Sequence, residues 1–224
     1  MAILHSDSFN GMALDDPLWS SRNLDNALGG SGTLVWNSVS GAYIGSDGAN
    51  RIYNRGTGNR ALVSLGASAD RLCRARVRFS AAGSLALLGR ATGYDGTDWT
   101  AVRAVIGGSG DSMTTLKIQT VDSGNTATDR GTPATVTALS LNTDYWLVLK
   151  IVGSVVTAYL YAADGTSTVG ALLGSCTYTL GSALSGAYWG LRYLSDGDNN
   201  AKFDDWIEED VPAVVARRPV VAIM

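Results

Sequence analysis

Sixteen consecutive residues, Trp146 to Tyr161, carry an alternation that a β-hairpin satisfies and a helix does not. With Gly153-Ser154 as a two-residue turn, Val152 lies opposite Val155, Lys150 opposite Thr157, Val148 opposite Tyr159 and Trp146 opposite Tyr161. The other face is wholly aliphatic, with Leu147, Leu149 and Ile151 set against Val156, Ala158 and Leu160. A side-chain period of two therefore predicts a sheet with its core on the aliphatic side and an aromatic, partly polar surface on the other.

The same rhythm runs through the rest of the chain. Fifteen strands are expected, among them Arg71–Phe79, Trp99–Ile106, Thr115–Val121, Ala134–Ala138, Ala187–Leu194 and Lys202–Glu208. Turn clusters such as Asp122–Asn125, Asp164-Gly165 and Asp196–Asn200 separate strands, and no segment shows a helical period. The charged residues agree: 14 of the 17 cations are Arg and 18 of the 20 acids are Asp, and Asp favours turns where Glu favours helices. With 27 glycines, 4 prolines and 46% hydrophobic residues in 224, the chain has the turns and the core of one all-β domain, a two-sheet antiparallel sandwich. Residues 10–31 are the least patterned and are expected to cover an open sheet edge. Residues 211–224, apolar and interrupted by Pro212 and Pro219, are expected to form a C-terminal docking arm in which Arg217 and Arg218 meet a partner.

Composition also disfavours several function classes. The net charge is −3 and no basic run exceeds Arg217-Arg218, so nucleic acid is not an expected partner. Nor is a membrane, because no apolar run reaches the ~18 residues that span a bilayer. Residues Met1 to Phe9 lack the basic region and long apolar stretch of a secretory leader, so synthesis in a cytoplasm is expected. Cys73 and Cys176 each fall in an expected strand and read as two buried thiols, a disulfide being the alternative.

The run from Thr143 to Gly165 resembles the paired central strands of the concanavalin-A-like lectin/glucanase and laminin-G-like jelly rolls, in which a Trp opens the first strand and a polar-Gly turn follows the second. Asp7 to Gly11 with Leu18-Trp19, and Lys202 to Ile207, are similar to that family's first and last strands, which pair together. The resemblance covers roughly residues 3–210. It implies a jelly-roll sandwich of two large antiparallel sheets, one of them concave, on a fold that hosts lectins, glycosidases and structural modules alike.

Glycoside hydrolysis needs two carboxyl groups flanking the scissile bond. Hydrolases of the resembled fold carry them in a Glu-x-Asp-x-(x)-Glu strand motif, which is absent here. The two glutamates, Glu208 and Glu209, are adjacent and point to opposite faces, and His5, the single histidine, has no evident partner. A non-catalytic binding role is expected instead. Trp146, Tyr159 and Tyr161 project together with Lys150, and planar rings beside hydrogen-bonding groups suit sugars. Packing beneath a loop or a neighbouring subunit is the alternative for these rings. By parity Trp99 shares a strand face with Arg103, as Tyr188 does with Arg192.

Arg74, Arg76 and Arg78 line one side of their strand at about 6.7 Å intervals. They are expected to meet an anionic glycan or an acidic neighbour, or to form a solvated face. No cofactor is required, but calcium is compatible with the alternating oxygens of Asp196 and Asp198. The resemblance adds Asp7 and Asp204, where its terminal strands meet. The expectation is a carbohydrate-binding or structural surface module of a bacteriophage virion, with a glycan, neighbouring virion proteins and copies of itself as partners. A secreted or cell-surface lectin-like domain is second and a glycoside hydrolase third.

Overall fold

In the computed structural model the chain forms two antiparallel sheets packed face to face. The structure describes residues 2–10, 12, 22–38, 44–46, 48, 51–54, 60–65, 70–92, 99–107, 113–123, 125–137, 139–164, 169–182, 184–194 and 200–211. The first sheet runs in the order β3 (Ile44–Ser46), β4 (Ile52–Asn54), β15 (Ala201–Asp210), β6 (Arg71–Phe79), β11 (Asp144–Val152), β12 (Val155–Ala163) and β13 (Val169–Thr179), with β1 (Ile3–Asp7) also paired to β15. The second runs β2 (Asn37–Ser38), β5 (Arg60–Ser64), β14 (Tyr188–Tyr193), β7 (Ser84–Ala91), β8 (Ala101–Gly107), β9 (Thr115–Val121) and β10 (Ala127–Thr135).

The central hairpin has the register that parity dictates, from Val152 opposite Val155 to Trp146 opposite Tyr161. Gly153 opens its turn at φ +55°, a backbone state in which the missing Cβ removes the steric penalty. Two residues from elsewhere in the chain hold that turn: the Gly153 N–H donates to Oδ1 of Asp70, just before β6, at 2.7 Å, and its carbonyl accepts from Arg90 of β7. Arg90 thereby ties the two sheets at one end. Between the sheets, Leu147, Leu149 and Ile151 pack with Val156, Ala158 and Leu160, with Cys73, Ala75 and Val77 of β6, and with Leu85, Leu87, Val102 and Ile118 of the second sheet. Cys73 and Cys176 are buried and unbridged, and burial pushes both thiols up in pKa.

Two elements depart from the simple alternation. In β15, Phe203 and Trp206 both face the core although three positions separate them. A bulge between Asp204 and Trp206 makes this possible, with Asp205 at φ +45° as the extra residue. Strand β10 runs over Ala127–Thr135, not over the expected Ala134–Ala138. Among the described strands it is a sheet edge paired only to β9, and its register breaks between Arg130 and Ala134, where Gly131 and Pro133 sit. With most of its residues exposed, it has no hydrophobic period to read.

The edge-covering expectation for the N-terminal region holds for its described part. Asn26 N–H donates to Ser6 O, Ser31 N–H donates to Leu4 O, and Asp25 Oδ1 accepts from Ser8 N–H, so side chains and loop backbone satisfy the free edge of β1.

Candidate functional site

A cleft lies where the edge strands β10 and β13 of the two sheets come together. At the end of β9, the start of β8 and the loop after β13, a cleft of about 480 Å³ opens, within the roughly 300–1,000 Å³ of small-ligand sites. Val121, Leu180, Leu184 and the ring of Tyr178 form its apolar part. Thr100, Thr120, Ser182, Asp122 and Arg130 add hydroxyls, a carboxylate and a guanidinium. Arg130 Nε donates to Thr120 Oγ1 at 2.8 Å, which fixes the guanidinium at the wall. Asp122 is held in a turn, its Oδ1 accepting from Thr126 N–H at 3.2 Å.

Gly131 lets β10 approach β13 here. At φ +69° it lies in the left-handed region, and a Cβ would meet Thr177 O at 3.1 Å. The sequence pattern marks Asp122–Asn125 only as a turn and gives Tyr178 and Arg130 no role. The one signal for them was an aromatic and an arginine at two sheet edges, which adjacency along the chain does not connect.

The expected aromatic platform divides differently. Trp146 does stand on the outer face of the first sheet, but it is buried, with Arg74 Cζ 4.7 Å from the ring centroid. It is therefore a packed ring and not an exposed stacking surface. Tyr159 and Tyr161 remain half-buried beside it, their centroids 5.9 Å apart and tilted by 32°, and Lys150 shares their face. Trp99 and Arg103 belong to the opposite surface of the molecule, the outer face of the second sheet. There Trp99 is buried with Leu62, Leu88, Ala101 and Val121, and Arg192 Cζ lies 4.9 Å over its ring. Arg103 Nε donates to Gln119 Oε1 at 2.7 Å, and Gln119 in turn donates to Asp129 at 2.5 Å. Burial lowers the Arg103 pKa to about 10. The two sets of residues do not form one site.

The arginine row of β6 meets an acidic neighbour within its own chain. Arg74 pairs with Glu209 at 3.0 Å, Arg76 with Asp205 at 2.9 Å and with Asp204, and Arg78 with Asp144 at 3.5 Å. The β15 bulge is what brings both Asp204 and Asp205 to the single guanidinium of Arg76. Burial, and next the charge of Asp205, raise the Asp204 carboxyl to about 7, and burial raises Asp205 too. The glutamates do face opposite sides: Glu208 lies opposite Cys73 and Glu209 opposite Leu72. His5, expected to lack a partner, has one. Its Nδ1 is 2.6 Å from the buried Glu208 Oε2, while Arg71 is 2.6 Å from Oε1. Arg217, Arg218, Asp196 and Asp198 lie outside the described residues.

Known structures share this architecture across most of the chain. Carbohydrate-binding module CBM66 of Bacillus subtilis superposes with a TM-score of 0.50 at 15% identity, covering 89% of this chain and 98% of that one. The exoplasmic/lumenal domain of VIP36, bound to Ca²⁺ and Man₃GlcNAc, gives 0.53 at 11% identity over 79% of this chain and 86% of its own. The fold is that of the concanavalin-A-like lectins. The CBM2 module of an evolved Dit from Lactobacillus casei BL23 phage J-1 shares it at 0.50 and 13% identity, over 92% and 94% of the two chains. No protein-family model matches the sequence, and no curated protein matches it either.

The VIP36 domain carries calcium, but Asp7 and Asp204 of this chain do not fit that ion. Asp7 faces the interior opposite Trp206 and accepts from Trp36 Nε1 at 2.6 Å and Phe9 N–H at 2.8 Å, with Arg22 at 3.3 Å. Burial raises its pKa above the usual carboxylate value. Asp204 stands on the outer face with Arg76 and Arg51. The two carboxylates are thus on opposite sides of one sheet, each among N–H donors. Among the described residues no group of three or more His, Cys, Asp or Glu is placed to hold a metal.

Proposed function

We propose that this protein is a non-catalytic carbohydrate-binding module whose sugar site is the cleft beside Tyr178. The observation that carries the reading is the cleft's composition: one aromatic ring, an apolar floor, three hydroxyls, Asp122 and Arg130 around a volume suited to a short oligosaccharide. Sugars present apolar C–H faces to rings and hydroxyls to carboxylate and guanidinium groups. The lectin and carbohydrate-binding neighbours support it, being built on the same sandwich. The test is isothermal titration against a panel of neutral glucan, mannan, galactan and fructan oligomers. Tyr178→Ala and Arg130→Ala should each weaken the binding oligomer about tenfold or more, with the fold intact by circular dichroism. Unchanged affinity in both variants would move the sugar site elsewhere, and release of reducing ends by the wild type would overturn the non-catalytic reading.

The phage Dit module among the structural neighbours favours a place for this module on a bacteriophage particle. On that reading residues 211–224 serve as the arm that docks it to neighbouring virion proteins. Mass spectrometry of purified particles tests the location, and deletion after Asp210 tests the arm: particle binding should be lost while the melting temperature is kept.

A further inference from the structure

The Tyr178 cleft is an unclosed end of the space between the two sheets, and strand alternation shows it. In β8 the core-facing positions Ile106, Ala104 and Val102 are followed, two residues on, by Thr100 at the cleft wall. In β9 the core-facing Leu116 and Ile118 are followed by Thr120 and then Asp122. The same side of each strand thus turns from apolar to polar at this end. Strand β10 adds a charge: Arg130 lies directly opposite the fully buried Ile118, so its guanidinium starts from the core-facing side of the sheet.

That guanidinium is held but not neutralised. Its Nε donates to Thr120 Oγ1 at 2.8 Å, which leaves the paired Nη groups, the fork that meets a carboxylate with two hydrogen bonds. Among the described residues no acid lies within ion-pair distance of Arg130. Asp129, the residue before it, projects from the opposite face of the sheet, where it accepts from Gln119 and Lys117. Asp122, the acid of the cleft, stands exposed in the turn after β9, its side chain accepting from Thr126 N–H and its carbonyl from Asn125 N–H. Water and salt screen an exposed carboxylate more than a half-buried guanidinium, so Arg130 has the larger effect inside the cleft.

The facing wall brings no counter-charge. From Val169 to Leu191 the sequence holds no charged residue, so β13 and the loop after it present Tyr178, Leu180 and Ser182 to the cleft. Space remains on that side, since a Cβ built on Gly181 would meet nothing within 4 Å. The backbone under Arg130 is anchored. It is the last residue paired to β9 before the register breaks, and the bend begins beyond it, at Gly131 with φ +69°. Drawing a cation partly out of water costs free energy that an opposite charge returns.

We propose that the ligand of the Tyr178 cleft is an acidic saccharide, its carboxylate or sulfate group held by the Arg130 fork. Tyr178 takes the apolar face of the sugar and Asp122 accepts from its hydroxyls. The place of binding rests on the cleft reading above, and the charge of the ligand on Arg130. The probes are oligomers of galacturonate, glucuronate and mannuronate, each beside its methyl ester, and a sulfated galactan beside its desulfated form, titrated into the full chain by calorimetry. At least one acid should bind about tenfold or more tightly than its uncharged counterpart. Which acid responds assigns carboxylate or sulfate. Arg130→Gln, which keeps a hydrogen-bond donor without the charge, should bring acid and counterpart to equal affinity. Arg130→Lys, which keeps the charge without the fork, should lose most of the preference and serves if the Gln variant does not fold.

Tyr178→Ala should weaken acid and counterpart alike and leave their ratio unchanged, which separates the two readings. Equal affinity for acid and counterpart, both weakened by Tyr178→Ala, would overturn this proposal and keep the cleft. Neutral oligomers bound through Tyr178 with no acid bound would do the same. An acid preference that survives the Arg130 substitutions would place charge recognition elsewhere and also overturn it. Binding indifferent to both Tyr178→Ala and Arg130→Gln would remove the cleft reading and this one together.

Discussion

Trp146→Ala distinguishes a packed ring from a binding surface. The indole is fully buried on the outer face of the first sheet, under a guanidinium 4.7 Å from its centroid, and that guanidinium is in turn 3.0 Å from Glu209. Truncating a buried Trp to Ala costs about 3–5 kcal/mol. Loss of the cation–π contact adds about 1 kcal/mol. In a domain of this size each kcal/mol lowers the melting midpoint by about 2–4 °C, so the expected fall is roughly 10–20 °C. Scanning calorimetry reads it directly, and titration below the lowered midpoint reads sugar affinity, which should be that of the wild type. Arg74→Met supplies the control, because it keeps the aliphatic stem over the ring while removing the charge. Its cost and that of Trp146→Ala should be non-additive in the double variant, since both remove the same contact. A fall of under about 3 °C for Trp146→Ala, far short of the cavity cost, together with lost sugar binding, would refute the argument from burial and restore the ring as a platform.

Leu149→Asp places an unpaired charge between the sheets and should prevent folding, whereas Lys150→Ala, one position along on the outer face, should change stability by less than about 1 kcal/mol; urea unfolding of both variants checks this. Glu208→Gln removes the charge between Arg71 and His5, each 2.6 Å away, and should cost about 2 kcal/mol, less than the ~3–5 kcal/mol of a fully buried broken pair because those partners are 20% and 23% exposed; a loss below about 0.5 kcal/mol would count against it. The Asp204 carboxyl, raised by burial to about 7, holds its proton more tightly in the folded chain than in the unfolded one. Its contribution to stability is therefore full below about pH 4 and declines as pH rises towards 7. Melting temperatures of wild type and Asp204→Asn across that window should diverge, the wild type losing stability relative to the variant as pH rises, and parallel curves would contradict the assignment.

How much of this was legible in the sequence follows from the range of each interaction. The hairpin Trp146–Tyr161 could be read because its turn, pairing and core face are all encoded within sixteen residues. The shared face of Arg74, Arg76 and Arg78 could be read for the same reason. Parity says which side of a sheet a residue occupies, however, and not what lies above it. It placed Trp146 correctly on the outer face yet left open the Arg74 cap, which depends on a cross-strand neighbour of β11. The acids that meet Arg74 and Arg76 come from β15, more than 120 residues further along, through a register that the Asp204–Asp205 bulge shifts by one position. Phe203 and Trp206, two aromatics at a spacing of three in a strand, were the visible sign of that bulge. The Tyr178 cleft had no such sign. It forms where the edge strand β10, exposed and aperiodic, comes against β13 of the other sheet, and meeting of edges is a property of the closed sandwich that no single strand contains. A surface built by such a meeting can change its polar lining without disturbing either sheet's core, because Asp122, Arg130 and Ser182 project from loops and an edge.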